Sequence, residues 1–162
     1  MLDDVVVDTN VLVHAQNPQE DRFGDSVRFV ENLLACRALL CVDSGFSTKE
    51  SSNRSLIGAE YLEKLRAGSL GYAALVQLAT SGRVREVARM ADGAARKQIL
   101  QLIRKPRDRT FLSVAWNSSG RLLVSHDYED FQEGKRKEIH KVIGVRMADA
   151  AEMCVLLGEA QG

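Results

Sequence analysis

The sequence predicts an α/β fold, with residues 1–162 forming a single three-layer domain. A parallel sheet of four to five strands would lie between layers of helices. Several short runs are apolar at consecutive positions, which is typical of strands buried on both faces. Segments with helical spacing of apolar residues separate these runs. The length of 162 residues, with 45% hydrophobic residues, suits one domain with its own core.

The elements follow from the apolar patterns. Strands are predicted at residues 5–7, 38–42, 122–124 and 142–145. Helices are predicted over residues 19–37, 56–65, 72–79, 82–91, 94–103, 108–116 and 149–157. Residues 44–55 and 128–141 are polar and are predicted as connections. Pro106 ends the helix before it, and Asp149 with Glu152 is predicted to cap the last helix.

The composition argues against several classes of protein. The 22 Lys and Arg residues balance the 22 Asp and Glu residues, which is unlike a general nucleic-acid coat protein. No apolar run approaches the roughly 18–20 residues that span a bilayer, and the acidic start is unlike a signal peptide, so a cytoplasmic location is expected. The scattered Cys36, Cys41 and Cys154 favour free thiols over a zinc site or a disulfide framework.

The charge is unevenly distributed along the chain. Residues 1–31 are mainly acidic, whereas residues 83–109 are mainly basic. The basic residues of this second stretch are Arg83, Arg85, Arg89, Arg96, Lys97, Arg104, Lys105, Arg107 and Arg109. Such a surface would attract an RNA backbone toward an acidic centre. The alternative is that these side chains only solvate the polar faces of helices.

Two aspartates follow predicted strands. Asp8 comes directly after the first strand, and Asp127 comes three residues after Val124. Ligands of an open parallel sheet bind beyond the carboxyl ends of its strands, where the strand order reverses. The two aspartates therefore meet if the second and third strands flank the first, and Asp108 joins them if its helix begins at the same edge. Clustered carboxylates need a neutralising cation, and oxygen ligands favour Mg²⁺ or Mn²⁺ over zinc.

Each acid also has a structural interpretation. Asp8 could accept backbone N–H groups in a turn, although its position at a strand end favours a functional role. Asp108 could be a helix N-cap, and Asp127 could begin a turn. Asp130 could support the site or be a surface charge.

Two segments of the sequence carry motifs that place an Asp beside an apolar strand or helix. Residues 5–15, VVVDTNVLVHA, place Asp-Thr-Asn between a buried strand and an apolar helix start. Residues 108–131, DRTFLSVAWNSSGRLLVSHDYEDF, place an Asp before a Phe-containing helix, a turn and an apolar strand that ends in Ser-x-Asp. In their content, order and separation, the two segments together resemble the PIN-domain nucleases, the family of toxin-like ribonucleases.

The resemblance implies a metal-dependent enzyme that hydrolyses phosphodiester bonds, as an endoribonuclease acting on single-stranded RNA. Asp8, Asp108 and Asp127 would be catalytic ligands of Mg²⁺ or Mn²⁺. Asn10 and Ser125 would orient ligands or water. The family toxins pair with an antitoxin, so an antitoxin-like partner and a homodimer stay open.

The family also needs a fourth acid from the middle of the chain. Glu60 is chosen as this catalytic ligand, because it lies between apolar neighbours on its predicted helix. Glu50 and Asp43 are the alternatives, and Glu63 is expected to face solvent.

The sequence departs from the family pattern in two places. His126 stands where many members have a small residue, and is interpreted as a substrate contact or a surface residue. The segment of residues 65–104 is longer than the corresponding segment in the shortest toxins of the family, which suggests a subgroup with another role. Two other functions are considered: a PIN-fold binding module for RNA or a protein, with weak catalysis, and a small-molecule phosphatase. An aspartyl phosphatase needs a second acid two residues after Asp8, where Asn10 stands.

Overall fold

A parallel sheet of five strands forms the centre of the protein. The computed structural model describes the backbone of residues 2–161 and the side chains of residues 2–158, so Met1 and Gly162 of the predicted domain lie outside the described residues. The strands are β1 (Asp4–Val7), β2 (Leu39–Asp43), β3 (Val84–Val87), β4 (Leu122–Val124) and β5 (Arg146–Ala148). Their order is β3-β2-β1-β4-β5, and all neighbours are parallel.

Helices cover both faces of this sheet. They are α1 (Thr9–His14), α2 (Phe23–Ala35), α3 (Leu56–Lys64), α4 (Leu70–Thr80), α5 (Gly93–Leu102), α6 (Pro106–Asn117), α7 (Glu133–Ile143) and α8 (Ala150–Gln161). A short 3₁₀ turn lies at Glu50–Ser52. Helices α1, α2 and α4 contact one another and α8 packs on α2, whereas α5 contacts α6 and α7. The predicted three-layer α/β fold with a parallel sheet is confirmed.

The strand order reverses at β1. The chain runs from β1 outward through β2 to β3, then returns to place β4 on the other side of β1. Residues 5–7 are fully buried, because helices cover both faces of the central strand. The condition set by the sequence for Asp8 and Asp127 to meet is therefore fulfilled: β2 and β4 flank β1.

The helix predicted over residues 82–91 is wrong, because part of this segment is the edge strand β3. Val84 and Val87 are three residues apart, a spacing that also fits a helix. In the structure they pair with Leu40 and Asp43 of β2. An edge strand is only half-buried, so it tolerates the charged residues between the two valines.

The prediction for residues 128–145 is also wrong in part. Helix α7 occupies much of the segment predicted as a polar connection, because Arg136, Ile139 and Ile143 form a narrow buried stripe at helical spacing. Ile143 belongs to this helix and not to a strand. Gly144 then ends the helix in the left-handed region, with φ 73°. The last strand is therefore β5, which begins after the predicted residues 142–145.

Other helix predictions differ mainly at their ends. The helix predicted over residues 19–37 is α2, which begins later because residues 17–23 form turns. The predicted cap of the last helix is confirmed: the Glu152 N–H donates to Asp149 at 2.9 Å, and the Asp149 N–H donates to Glu152 at 3.3 Å. Within the described residues, no helix combines the length and the apolar character that crossing a bilayer requires. Cys36, Cys41 and Cys154 are free thiols.

Candidate metal centre

The carboxyl ends of β1 and β4 bring the predicted acids together. Asp8 directly follows β1, and its backbone N–H donates to the Val124 carbonyl at 2.8 Å. Asp127 lies on the turn after β4, and Asp108 reaches the same edge from the first turn of α6. Glu60 approaches from α3, where its carboxylate accepts a 2.8 Å hydrogen bond from the Thr9 hydroxyl. Four elements thus contribute carboxylates to one edge of the sheet.

The Asp8 carboxylate is almost fully buried, with 1% of the residue exposed. Asp8 precedes α1, yet its side chain caps no backbone N–H group of that helix. Its Oδ2 instead accepts hydrogen bonds from Ser125 Oγ at 2.7 Å and from Asn10 Nδ2 at 3.3 Å. The turn interpretation of Asp8 is therefore wrong. Asn10 and Ser125, predicted as supporting polar residues, both contact this carboxylate.

The N-cap interpretation of Asp108 is also wrong. Lys105 is the N-cap residue of α6, and Asp108 is the third residue of the helix, 2% exposed. Burial raises the pKa of the Asp108 carboxyl, although the neighbouring Arg107 acts in the opposite direction. A buried carboxylate of this kind is stabilised in its charged form by a cation.

Asp127 forms a turn and also belongs to a group of carboxylates that could bind a metal ion. Its Oδ1 accepts the backbone N–H groups of Glu129 at 3.1 Å and Asp130 at 2.9 Å, which confirms the turn interpretation. Asp108, Asp127 and Asp130 each offer one ligand atom, and these atoms lie within 4.8 Å of one another. This group, called here the aspartate triad, could hold a metal ion. Its hard oxygen donors fit such an ion chemically.

Asp130 is the most exposed member of the aspartate triad, with 32% of its side chain exposed. Lys105 Nζ donates to its carboxylate at 2.6 Å. This hydrogen bond lowers the pKa of Asp130 below its ordinary value. Asp130 is thus ion-paired as well as placed beside two predicted ligands.

The candidates for the fourth acid lie in three different environments. Glu60 contacts Thr9 and Arg107 beside Asp8, with 21% of its side chain exposed. Glu50 is exposed on the 3₁₀ turn. Glu63 is 73% exposed next to Lys64, as expected for a solvated residue. Glu60 differs from the other two glutamates because it contacts Arg107, which also pairs with Asp8.

Asp43, the other alternative, has a structural role. It is fully buried at the end of β2 and lies against the beginning of α3, whose N-cap residue is Ser55. Its carboxylate accepts hydrogen bonds from Ser55 Oγ at 2.5 Å, Leu56 N at 2.7 Å and Ile57 N at 2.9 Å. Arg89 lies 3.2 Å from the same carboxylate. These contacts use both carboxylate oxygens of Asp43 inside the fold.

Arg107 lies at the centre of the site, and sequence reasoning treated it only as one member of the basic stretch. Its guanidinium donates through Nη2 to Asp8 at 2.5 Å, through Nε to Glu60 at 2.5 Å and through Nη1 to Asp108 at 3.0 Å. Burial lowers the pKa of Arg107, but Asp8 and Glu60 outweigh this effect and raise it above its usual value. Its position next to Asp108 was the one sequence signal that set it apart from the other arginines.

The arginines and lysines of the basic stretch at residues 83–109 lie in different environments. Arg83 donates to backbone carbonyls of Leu33, Leu34 and Ala38, and Arg85 pairs with Asp4. Arg89 and Arg109 likewise contact groups within the fold. Each of these four arginines thus has a partner within the fold. Arg96, Lys97 and Arg104 are exposed.

Two cavities flank the acids. One, of about 300 Å³, is called here the cationic cavity: it is lined by Asp108 and Asp130 of the aspartate triad, by the cationic Arg104, Lys105 and Lys135, and by the apolar Leu102, Ile103 and Phe131. The other, of about 250 Å³, lies between α3 and α6 beside Glu60 and Arg107, and its lining is largely apolar. Leu56 and Phe111 belong to this second cavity. Asp108 and Asp130 thus line the cationic cavity, and Glu60 lines the apolar one.

His126 is buried, so its interpretation as a surface residue is wrong. Its ring stacks on that of His14 at a centroid distance of 5.0 Å, and the two Nδ1 atoms lie 2.8 Å apart. Its Nε2 accepts the Ala150 N–H at 3.1 Å, so in the neutral ring Nδ1 carries the hydrogen. Burial first, and then Arg22, lower the pKa of His126 to about 3. The His126 ring therefore connects α1 to the beginning of α8.

Comparison of this chain with protein-family models, with curated proteins and with solved structures found no match. The resemblance to PIN-domain nucleases therefore stays a prediction that rests on the residues quoted for it.

Proposed function

We propose that this chain is a metal-dependent nuclease of the PIN type, an endoribonuclease that hydrolyses phosphodiester bonds in single-stranded RNA. The observation that carries the proposal is the convergence of Asp8, Glu60, Asp108 and Asp127 at the reversal point of the sheet. Open α/β sheets bind their ligands at this position.

The proposed cofactor is Mg²⁺ or Mn²⁺. Asp8, Glu60 and the aspartate triad would hold it, since they offer carboxylate oxygens that suit small hard cations. A bound divalent ion activates water for attack on phosphorus and stabilises the negative charge that develops there. Ser125 and Asn10 hold the Asp8 carboxylate in place through their hydrogen bonds, which fixes the geometry of the site.

The cationic cavity supports a phosphodiester substrate. Arg104, Lys105 and Lys135 line it beside Asp108 and Asp130, so a phosphate bound there lies next to the acids. The apolar cavity, which Arg107 also lines, offers a surface on which an unpaired base can lie. A flexible single strand can enter both cavities, which favours single-stranded over double-stranded RNA as substrate.

The test is cleavage of end-labelled single-stranded RNA with Mn²⁺, by the wild type and by Asp8→Asn. The proposal expects cleavage that EDTA abolishes and that Asp8→Asn reduces strongly. Asp21→Asn, a matched change at an exposed aspartate, should leave cleavage unchanged. Cleavage that survives both EDTA and Asp8→Asn contradicts a metal-carboxylate mechanism. Parallel assays with single-stranded DNA and p-nitrophenyl phosphate separate a ribonuclease from a deoxyribonuclease and from a small-molecule phosphatase.

A second candidate function is an RNA-binding module with weak catalysis. The observation that favours it is Arg107, which already neutralises three of the acids. This candidate expects RNA binding without cleavage, and a melting temperature that millimolar Mn²⁺ leaves unchanged. The nuclease expects Mn²⁺ to raise the melting temperature.

A further inference from the structure

Resting on the proposed function, we infer that Arg107 is an internal competitor of the divalent cation. Its guanidinium must leave the carboxylates that it contacts before those carboxylates can bind a metal ion. Metal binding would thus be coupled to a rearrangement of one side chain of this chain.

The contacts of Arg107 carry this inference. It donates one hydrogen bond to one oxygen of each of three carboxylates: Asp8 Oδ1, Glu60 Oε1 and Asp108 Oδ1. Each of these oxygens is an atom that a metal ion at the site would use. The guanidinium cation therefore neutralises these carboxylates in the place where a divalent ion would otherwise do so.

The remaining oxygens of Asp8 and Glu60 are also engaged, which leaves little room for both cations. Asp8 Oδ2 accepts from Ser125 and Asn10, and Glu60 Oε2 accepts from Thr9. A metal ion at Asp8 would thus share Oδ1 with the guanidinium, and two cations on one buried oxygen repel each other. The metal ion and Arg107 consequently exclude each other at this carboxylate.

Asp108 connects this competition to the aspartate triad. It pairs with Arg107 and also lies within the group formed with Asp127 and Asp130. A metal ion that binds to the aspartate triad therefore weakens the ion pair between Asp108 and the Arg107 guanidinium. The Arg107 side chain is partly exposed (38%) and stacks over the Phe111 ring at 4.8 Å, so it has solvent and an aromatic face available when it moves.

The first experiment measures Mn²⁺ binding by isothermal titration calorimetry for the wild type, Arg107→Gln and Arg107→Lys. Arg107→Gln should bind Mn²⁺ at least about tenfold more tightly than the wild type. This gain in affinity corresponds to one charge-assisted hydrogen bond that the metal ion no longer has to break. Arg107→Lys should lie between, since an ammonium cannot bridge three carboxylates as a guanidinium does. Arg96→Gln, the matched change at an exposed arginine, should bind as the wild type does.

The second experiment follows Arg107 in the wild-type protein, so that it does not depend on the folding of a variant. The ¹⁵N resonance of the Arg107 Nε–H, assigned by its absence in Arg107→Lys, should shift on titration with Mg²⁺. Saturation of this shift should coincide with saturation of binding.

The outcomes separate the inference from the proposed function. A wild type that binds metal and cleaves RNA, with an unmoved Arg107 resonance and unchanged affinity in Arg107→Gln, overturns the competition and leaves the nuclease intact. A wild type and variants that all fail to bind Mn²⁺ overturn both. Tighter binding in Arg107→Gln together with a shifted resonance supports the inference, whether or not the RNA chosen is cleaved.

Discussion

The hydroxyl of Ser125 donates a hydrogen bond of 2.7 Å to Oδ2 of Asp8, across a sequence separation of 117 residues. The same hydroxyl accepts the backbone N–H of Asp127 at 3.1 Å. One side chain therefore positions two of the predicted ligands, which follow two adjacent strands. This relationship explains why a serine suits the position two residues before Asp127.

Replacement of Ser125 by alanine should destabilise the protein. The buried Asp8 carboxylate and the Asp127 N–H would each lose a partner, at a cost of about 1–3 kcal/mol in the free energy of unfolding. Denaturant unfolding without added metal measures this change. Ser51→Ala, at an exposed serine, is the control and should change stability by less than about 0.5 kcal/mol. Equal stabilities of Ser125→Ala and the wild type would show that the Ser125–Asp8 bond contributes nothing net.

Glu60 and Glu63 provide a matched pair for the fourth acid. Both lie on α3, but Glu60 faces the site whereas Glu63 is mostly exposed. If Glu60 is a ligand, Glu60→Gln should weaken Mn²⁺ binding by about 10–100-fold and reduce RNA cleavage accordingly. Calorimetric titration and the cleavage assay measure the two effects. Glu63→Gln should behave as the wild type, and a similar loss in both variants would refute the choice of Glu60.

Asp43 should affect stability rather than metal binding. Asp43→Ala leaves the backbone N–H groups of Leu56 and Ile57, at the beginning of α3, without their acceptor, which should cost about 2 kcal/mol in the free energy of unfolding. Unfolding in guanidinium chloride measures this loss of free energy. Mn²⁺ affinity, measured where the variant is folded, should stay within about twofold of the wild type, a difference of roughly 0.4 kcal/mol. A selective loss of Mn²⁺ affinity at unchanged stability would instead make Asp43 a ligand.

His126 should make the protein less stable as the pH falls. Its pKa is lowered from the ordinary value of 6.5 to about 3, first by burial and then by Arg22, His14 and Arg136, while the Asp149 carboxylate acts in the opposite direction. Between these two values the unfolded chain binds a proton that the folded chain does not. The neutral ring therefore contributes its full stabilisation above pH 6.5 and loses it as the pH falls toward 3.

The measurement compares unfolding free energies at pH 7 and pH 5 for the wild type and His126→Gln. The glutamine variant cannot take up this proton, so its stability should fall less over this interval. His140→Gln, at an exposed histidine, should retain the wild-type dependence on pH. If His126→Gln also retained it, His126 would not be the cause.

Much of the fold could be predicted from short-range patterns. Three consecutive buried valines before Asp8 indicated a central strand, and the Asp149–Glu152 spacing indicated a capped helix. The predictions failed where the local sequence pattern is compatible with two kinds of secondary structure. The valines of β3 have helical spacing, and the pairing with β2 decides in favour of a strand. The polar α7 has a buried stripe too narrow to stand out in the sequence.

The sequence by itself determined the α/β class and placed Asp8 and Asp127 at strand ends, because apolar runs and the residues that follow them are local properties. Only the tertiary structure decided which distant side chains meet. Glu60 contacts Thr9 across 51 residues, and Arg107 contacts Asp8 across 99. These meetings depend on how α3 and α6 pack against the end of the sheet, and no periodicity along the chain encodes that packing. For the same reason the sequence could list the acids but could not reveal the arginine that neutralises them.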